Sequence, residues 1–234
     1  MVIAHGSATS STYRSALRRE AAHLVLPLLA FVALLGVVLT GGPTEVDTWL
    51  AGRIQSIPWG AFAAIPRLGS DIGGGVYGAV AIPALTGAFL LWRRQWRLLA
   101  LLGAVVVLHY VLISPKLFIT AYRPSPAFGV EGAGGLESFP SGHVQWAASF
   151  YGFLAYFLIG LQPRLRWPII AGYVLVVAGT MLGRIELGRH WPIDTVAGVL
   201  AGVIALRLVI LAERWLARRH SRPAPAASQI PERQ

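Results

Sequence analysis

The stretch HVQWAASFYGFLAYFLIGL, residues 143 to 161, decides the class of fold. It is almost wholly apolar and contains no Asp, Glu, Lys or Arg, and about 20 such residues form a helix that crosses a hydrocarbon core about 30 Å thick. Five further stretches have the same character, so we predict an all-α polytopic membrane protein with six transmembrane helices. The predicted spans are residues 23 to 40, 71 to 92, 98 to 119, 143 to 161, 167 to 183 and 193 to 212.

The composition of the whole chain agrees with this prediction. Apolar residues make up 55% and charged residues 13%, whereas soluble domains have about 25% charged residues. The net charge of +10 could suit nucleic acid, but the basic residues lie between apolar segments and form no stripe with aromatic residues, so no nucleic-acid partner is predicted. The absence of Cys excludes a disulfide framework and a thiolate metal site.

The distribution of basic residues predicts the orientation in the membrane. The loops and termini on one side carry thirteen Arg or Lys residues, and those on the other side carry six. Basic residues favour the cytoplasm, so both termini are expected there. The first span is longer than a signal-peptide core and lacks a cleavage site, which favours a retained anchor. We therefore divide the chain into a cytoplasmic segment (1 to 22), a six-span domain (23 to 212) and a basic, disordered cytoplasmic tail (213 to 234).

Two smaller features concern the helices themselves. Apolar residues recur at helical spacing between the first two spans, which predicts an interfacial helix on the outer surface. These residues are Val46, Trp49, Leu50, Ile54 and Ile57. Pro83 and Pro115 are expected to bend the second and third spans.

Most of the ionisable residues on the outer side fall in three stretches. These stretches are KLFITAYRP (116 to 124), FPSGH (139 to 143) and GRIELGRHWPID (183 to 194). The predicted topology places all three at one depth and on one side. We therefore expect an active site at the outer ends of spans three to six.

The three stretches offer groups that bind a tetrahedral anion. Lys116, Arg123 and Arg184 are cations, and a guanidinium can make two parallel hydrogen bonds to phosphate oxygens. Ser141 and Gly142 precede the fourth span, where backbone N–H groups at a helix N-terminus favour an anion. Lys116 is also the only lysine in the chain.

Two histidines accompany the anion-binding groups. His190 and Asp194 are four residues apart, and Pro192 suits the first position of a helix, so Asp194 should reach the imidazole of His190. A carboxylate on one ring nitrogen orients the imidazole and leaves the other nitrogen free to attack. His143 could donate a proton to the departing oxygen.

Each residue alone has a simpler structural explanation. Ser141 could cap a helix, Asp194 could interact with a helix dipole, and a histidine near an interface is commonly only amphipathic. However, three cations, two histidines and a carboxylate at one depth are unexpected as independent structural features. Ionisable residues at the membrane favour a functional site.

These residues resemble the three-part signature of the type 2 phosphatidic acid phosphatase superfamily, the membrane lipid phosphate phosphatases. The first part matches Lys116 and Arg123-Pro124, the second matches Pro140-Ser141-Gly142-His143, and the third matches Arg184, His190 and Asp194. One position departs from the signature. Gly183 stands where the family has Ser, so one hydroxyl that would contact the phosphate is missing.

The resemblance implies hydrolysis of a lipid phosphomonoester or pyrophosphate without a metal or other cofactor, through a phosphohistidine at His190. It implies that Asp194 orients His190 and that His143 acts as acid and then as base. Phosphoryl oxygens would be held by Lys116, Arg123, Ser141, Gly142 and Arg184.

The implied substrates are undecaprenyl pyrophosphate, phosphatidylglycerophosphate or phosphatidic acid in a bacterial inner or plasma membrane, with the site on the outer face. A lipid phosphotransferase would use the same residues and stays open as an alternative. A transporter of anionic lipids is less favoured because few charges lie within the spans, and six apolar spans disfavour a soluble haloperoxidase.

Overall fold

The computed structural model describes residues 10 to 124 and 137 to 220. Within these ranges the fold is helical, with one isolated β-bridge between Ala121 and Glu137. The α-helices are α1 (Ser10–Gly41), α2 (Glu45–Gln55), α3 (Ala64–Gly74), α4 (Ile82–Trp92), α5 (Trp96–Ile113), α6 (Gly142–Trp146), α7 (Gly152–Leu161), α8 (Arg166–Glu186) and α9 (Pro192–His220). Short π-helical segments, Val76–Ala81 and Ala147–Tyr151, join α3 to α4 and α6 to α7.

Six helical segments in the described part of the chain are long and apolar enough to cross a membrane. They are Ala22–Gly41, Gly60–Trp92, Trp96–Leu117, Gly142–Leu161, Pro163–Glu186 and Pro192–Ala217. This confirms the prediction of an all-α fold with six spans. The fourth and sixth spans are the most enclosed by the rest of the bundle, so they form its centre.

The second span begins earlier than the sequence analysis predicts. The predicted second span starts at residue 71, but α3 starts at Ala64 and the whole helical segment starts at Gly60. Pro66, Arg67 and Ser70 lower the apolar content of this turn-rich region, so hydropathy does not reveal the helix. The helix of the second span is interrupted at Gly75, where the backbone is extended. The bend that the sequence predicts at Pro83 is not where the helix breaks, because Pro83 occupies the first turn of α4.

The boundaries of the other five membrane spans shift less, although the first and last helices extend beyond their spans. A helix does form between the first two spans: Thr44 caps α2, and its side chain accepts a hydrogen bond from the Asp47 N–H in a capping box. α1 already begins at Ser10, and α9 continues to His220, so residues 213 to 220 are helical. The remaining predicted tail, residues 221 to 234, lies outside the described residues, as do residues 1 to 9.

Glycines allow the helices around the site to pack closely. A Cβ atom on Gly69 of α3 would lie 2.3 Å from the carbonyl oxygen of Gly179 on α8, and one on Gly73 would lie 2.1 Å from Oγ1 of Thr180. The same applies where α9 crosses α6, because a Cβ atom on Gly198 would lie 2.7 Å from the Ser141 carbonyl oxygen. Small residues spaced four apart let membrane helices approach to backbone contact. These crossings bring α3 and α9 against the elements that carry the candidate site.

Candidate active site

The loop that carries His190 is folded by the end of α8. Gly188 follows this helix with a φ of 61°, a left-handed conformation that glycine adopts without strain. The N–H groups of Arg189 and His190 then both donate to the carbonyl oxygen of Arg184, at 3.0 and 3.2 Å. This turn is a common helix ending, and it folds His190 back over the last turn of α8.

Asp194 lies beside His190, as the spacing of the two residues predicts. α9 begins at Pro192, and Asp194 is in its first turn. Its Oδ2 atom lies 3.5 Å from Nδ1 of His190 and accepts the N–H of Trp191 at 2.9 Å. Both side chains are almost fully buried. The contact through Nδ1 leaves Nε2 as the ring nitrogen available for chemistry.

Ser138 is a site residue that the sequence analysis does not single out. Its hydroxyl donates to Oδ2 of Asp194 and lies 3.5 Å from Nδ1 of His190, and the residue is fully buried. The β-bridge explains its position, since the Ser138 N–H donates to the carbonyl of Ala121 at 3.0 Å. Its closeness to Pro140 in sequence was the available signal, but only the bridge shows that its side chain meets Asp194.

The start of the fourth span lies directly against the start of the sixth. The Ser141 N–H donates to the carbonyl oxygen of Asp194 at 3.0 Å. Ser141 precedes Gly142 at the N-terminus of α6, yet its side chain makes no capping hydrogen bond. The capping explanation for Ser141 is therefore wrong, and its hydroxyl remains available to a ligand.

His143 and the cations surround the same space. His143 is half-buried and lies within electrostatic range of Arg184 and His190. Lys116 donates from Nζ to the carbonyl oxygen of Glu137 at 3.0 Å, which holds it beside the segment that leads to Ser138. The structure therefore brings together the residues of all three predicted stretches at one end of the bundle.

Several buried donors at this end have no hydrogen-bond partner among the described residues. They are Nε of Arg123, Oγ of Ser141 and Nε of Arg184. Buried polar atoms are normally paired, and an unpaired one in a native fold calls for an explanation. Donors from three separate elements are suited to an anion with several acceptor oxygens, which could accept from all of them.

The electrostatics of the site keep His190 uncharged. Burial lowers the pKa of the His190 imidazole well below its ordinary value of 6.5, and the positive charges of Arg184, Lys116 and Arg123 lower it further. All three cations therefore lie within electrostatic range of His190. A neutral imidazole keeps the lone pair that a nucleophile or base requires.

Helix α2 holds both ends of the His190 loop. Oδ1 of Asp47 accepts the N–H of Ile193 at 2.8 Å, in the first turn of α9, and Nε2 of Gln55 donates to the carbonyl oxygen of Ile185 at 2.9 Å, near the end of α8. Asp47 is 3% exposed. Sequence reasoning finds α2 itself but not these contacts, because they join residues more than a hundred positions apart.

Comparison with known proteins identifies the family. The sequence pattern of the PAP2 superfamily matches residues 94–218 of the 234-residue chain. The chain belongs to the PAP2 superfamily. The matched range contains the three predicted stretches. It begins after α2 and α3, so these two helices lie outside it.

Curated relatives carry a more specific name. Phosphatidylglycerophosphatase B of Escherichia coli (strain K12) is 42% identical over 83 residues, which are 35% of this chain and 30% of the relative. Phosphatidylglycerophosphatase B of Bacillus subtilis (strain 168) is 34% identical over 126 residues, which are 50% of this chain and 59% of the relative. The chain thus matches less than two thirds of the length of either PAP2 relative.

A solved structure has the same fold. The crystal structure of a transmembrane PAP2 type phosphatidylglycerolphosphate phosphatase from Bacillus subtilis superposes with a TM-score of 0.72 at 21% sequence identity. The superposition covers 86% of this chain and 98% of that chain. Together with the six apolar spans, it shows that this PAP2 protein is an integral membrane protein.

Proposed function

We propose that this PAP2 protein is a membrane lipid phosphatase that hydrolyses a phosphomonoester or pyrophosphate through a phosphohistidine at His190. The observation that carries the proposal is the buried contact between His190 and Asp194 within electrostatic range of three cations. Ser141 bonds to the Asp194 backbone, and its hydroxyl has no partner among the described residues. An oriented, neutral imidazole beside an anion-binding pocket is suited to attack on a phosphoryl group.

In the first step, Nε2 of His190 attacks phosphorus. A P–N bond forms, the bond from phosphorus to the leaving oxygen breaks, and His143 donates a proton to that oxygen. Asp194 stabilises the positive charge that develops on the imidazole. Lys116, Arg123 and Arg184, with the hydroxyl of Ser141 and the N–H of Gly142, bind the phosphoryl oxygens and stabilise the transition state.

In the second step, water attacks the phosphohistidine. His143, now neutral, accepts a proton from the water, the P–N bond breaks, and inorganic phosphate leaves. The side chains of the three cations supply the positive charge in both steps, so the proposed mechanism requires no metal ion. Phosphatidylglycerophosphate is the first substrate to test because of the names of the relatives, followed by phosphatidic acid and undecaprenyl pyrophosphate.

The test measures phosphate release from these lipids by the full chain in detergent with a chelator present. We expect His190→Ala to lower kcat by 10³-fold or more, on the order of what loss of a nucleophile costs, and an acid-labile phosphoenzyme to form only in the presence of His190. His23→Gln is the matched control, because His23 is exposed on α1. Activity that survives in His190→Ala, or that requires added Mg²⁺, would contradict the mechanism.

The proposed site lies on the outer face of the bacterial inner or plasma membrane, with both termini in the cytoplasm. The excess of basic residues on the opposite side supports this orientation. Since the chain has no Cys, Glu137→Cys and Gln95→Cys each introduce a single exposed thiol, at opposite ends of the bundle. A membrane-impermeant thiol reagent on intact cells should label only Glu137→Cys, and the reverse pattern would refute the orientation.

A further inference from the structure

Arg184 has a buried partner on a helix that lies outside the PAP2 match. Nη1 of Arg184 donates to Oγ of Ser70 at 3.2 Å. Ser70 is 3% exposed and Arg184 is 9% exposed. Ser70 belongs to α3, just before the predicted start of the second span, and supplies a hydroxyl to one of the three cations.

The Gly183 departure from the signature explains how Ser70 can approach so closely. A Cβ atom on Gly183 would lie 2.0 Å from the carbonyl oxygen of Pro66 and 2.9 Å from the backbone nitrogen of Ser70. Both neighbours are backbone atoms of α3, so no side-chain movement can make room. The serine that the signature has at this position therefore cannot be accommodated while α3 packs against α8 as it does here.

α3 also contacts the other side of the site. A Cβ atom on Gly74 would lie 2.6 Å from Cγ of His143. α3 thus packs against Arg184 through Ser70 and against His143 through Gly74, one helical turn apart. This helix forms a wall of the candidate active site.

We propose that Ser70 is a positioning residue for Arg184, and that the missing side chain at Gly183 is what lets α3 bring Ser70 to this contact. The hydrogen bond to Nη1 restricts rotation of the guanidinium, while Nε of Arg184 remains without a partner in the described part of the chain. Nε is then available to a phosphoryl oxygen in a fixed direction. The inference rests on the proposed function, since it assigns Ser70 a role in binding the phosphoryl group.

The first experiment compares Ser70→Ala with the wild-type chain for kcat/KM and for inhibition by orthovanadate, a tetrahedral phosphate analogue. Loss of one hydrogen bond to a charged group should lower kcat/KM and raise the inhibition constant by about 10-fold each. Ser149→Ala is the matched control, because Ser149 is equally buried in a helix but donates only to the backbone carbonyls of Gln145 and Trp146. The control should change neither quantity more than twofold.

The second experiment separates positioning from a general structural role. In an Arg184→Lys background, which lacks Nη1, Ser70→Ala should have less than a twofold further effect on kcat/KM, because residues that act through one contact are not additive. An equal effect of Ser70→Ala in both backgrounds would overturn the inference. So would unchanged orthovanadate affinity in Ser70→Ala.

The third experiment tests whether the packing of α3 against α8 requires a glycine at position 183. Gly183→Ser and Gly183→Ala should both lower the melting temperature and the activity, because the added Cβ atom meets the α3 backbone whether or not it carries a hydroxyl. A Gly183→Ser chain that is as stable as wild type and more active would refute this requirement for glycine. If wild type releases no phosphate from any lipid, the proposed function fails, whereas the effect of Ser70→Ala on orthovanadate binding, measured directly by calorimetry, still decides the role of Ser70.

Discussion

Two regions of the molecule contribute to the candidate site in different ways. The region from Lys116 to Asp194 supplies ionisable side chains and the hydroxyls of Ser138 and Ser141, whereas the region before residue 94 supplies mainly hydrogen bonds and close helix packing. In the proposed mechanism, the first set of residues acts on the substrate directly. The second set holds the first in place, so the two regions should differ both in the size of mutational effects and in whether activity or stability responds more.

The largest effect is expected from Asp194→Asn, in the first region. An amide can replace only one of the carboxylate oxygens, and Oδ2 of Asp194 accepts from both Ser138 and the Trp191 N–H beside His190. We expect kcat to fall about 10³- to 10⁴-fold, since the imidazole loses both its orientation and a compensating charge. Steady-state kinetics in detergent measure the change, and a loss below tenfold would show that Asp194 does not orient the nucleophile.

A smaller effect is expected from Asp47→Asn, in the second region. Asp47 accepts from Thr44 through Oδ2 and from Ile193 through Oδ1, so an amide leaves one set of donors unpaired, which costs about 1–3 kcal/mol. We expect the melting temperature to fall by about 2–4 °C per kcal/mol and kcat to fall by less than about tenfold.

Glu45→Gln is the control for Asp47→Asn, because Glu45 is an exposed acid in the first turn of the same helix. It should change neither the melting temperature nor kcat. If Asp47→Asn lowered kcat as strongly as Asp194→Asn without loss of stability, the division between the two regions would be wrong.

The smallest effect concerns the pH dependence of stability. Because the pKa of His190 is lowered in the folded chain, the unfolded chain binds a proton below pH 6.5 while the folded chain does not, so acid favours unfolding. The contribution of His190 is at most about 1.4 kcal/mol per pH unit. Between pH 7.5 and 5.5 the melting temperature of wild type should therefore fall more than that of His190→Gln. Parallel curves for the two chains would show that His190 is not held neutral.

The sequence predicts contacts between neighbouring residues, but not contacts between residues that are distant along the chain. The spacing of His190 and Asp194 around Pro192 predicts their contact correctly, because four residues across a helix start fix the distance locally. The roles of Ser138 and Ser70 could not be predicted in this way. Ser138 is 56 positions from its partner Asp194, and Ser70 is 114 positions from its partner Arg184. Two pairs of glycines four residues apart, Gly69 with Gly73 and Gly179 with Gly183, indicate close helix packing in the sequence. This spacing alone does not show which helices cross.

By itself the sequence determined the class of fold, the number of spans and the ionisable residues of the candidate site, because hydrophobic length and local spacing are properties of short segments. The tertiary structure alone decided that α3 is a helix of the bundle, that α2 holds both ends of the His190 loop and that Ser70 lies where Gly183 lacks a side chain. These features depend on backbone contacts between distant segments, whose geometry no short stretch of sequence contains.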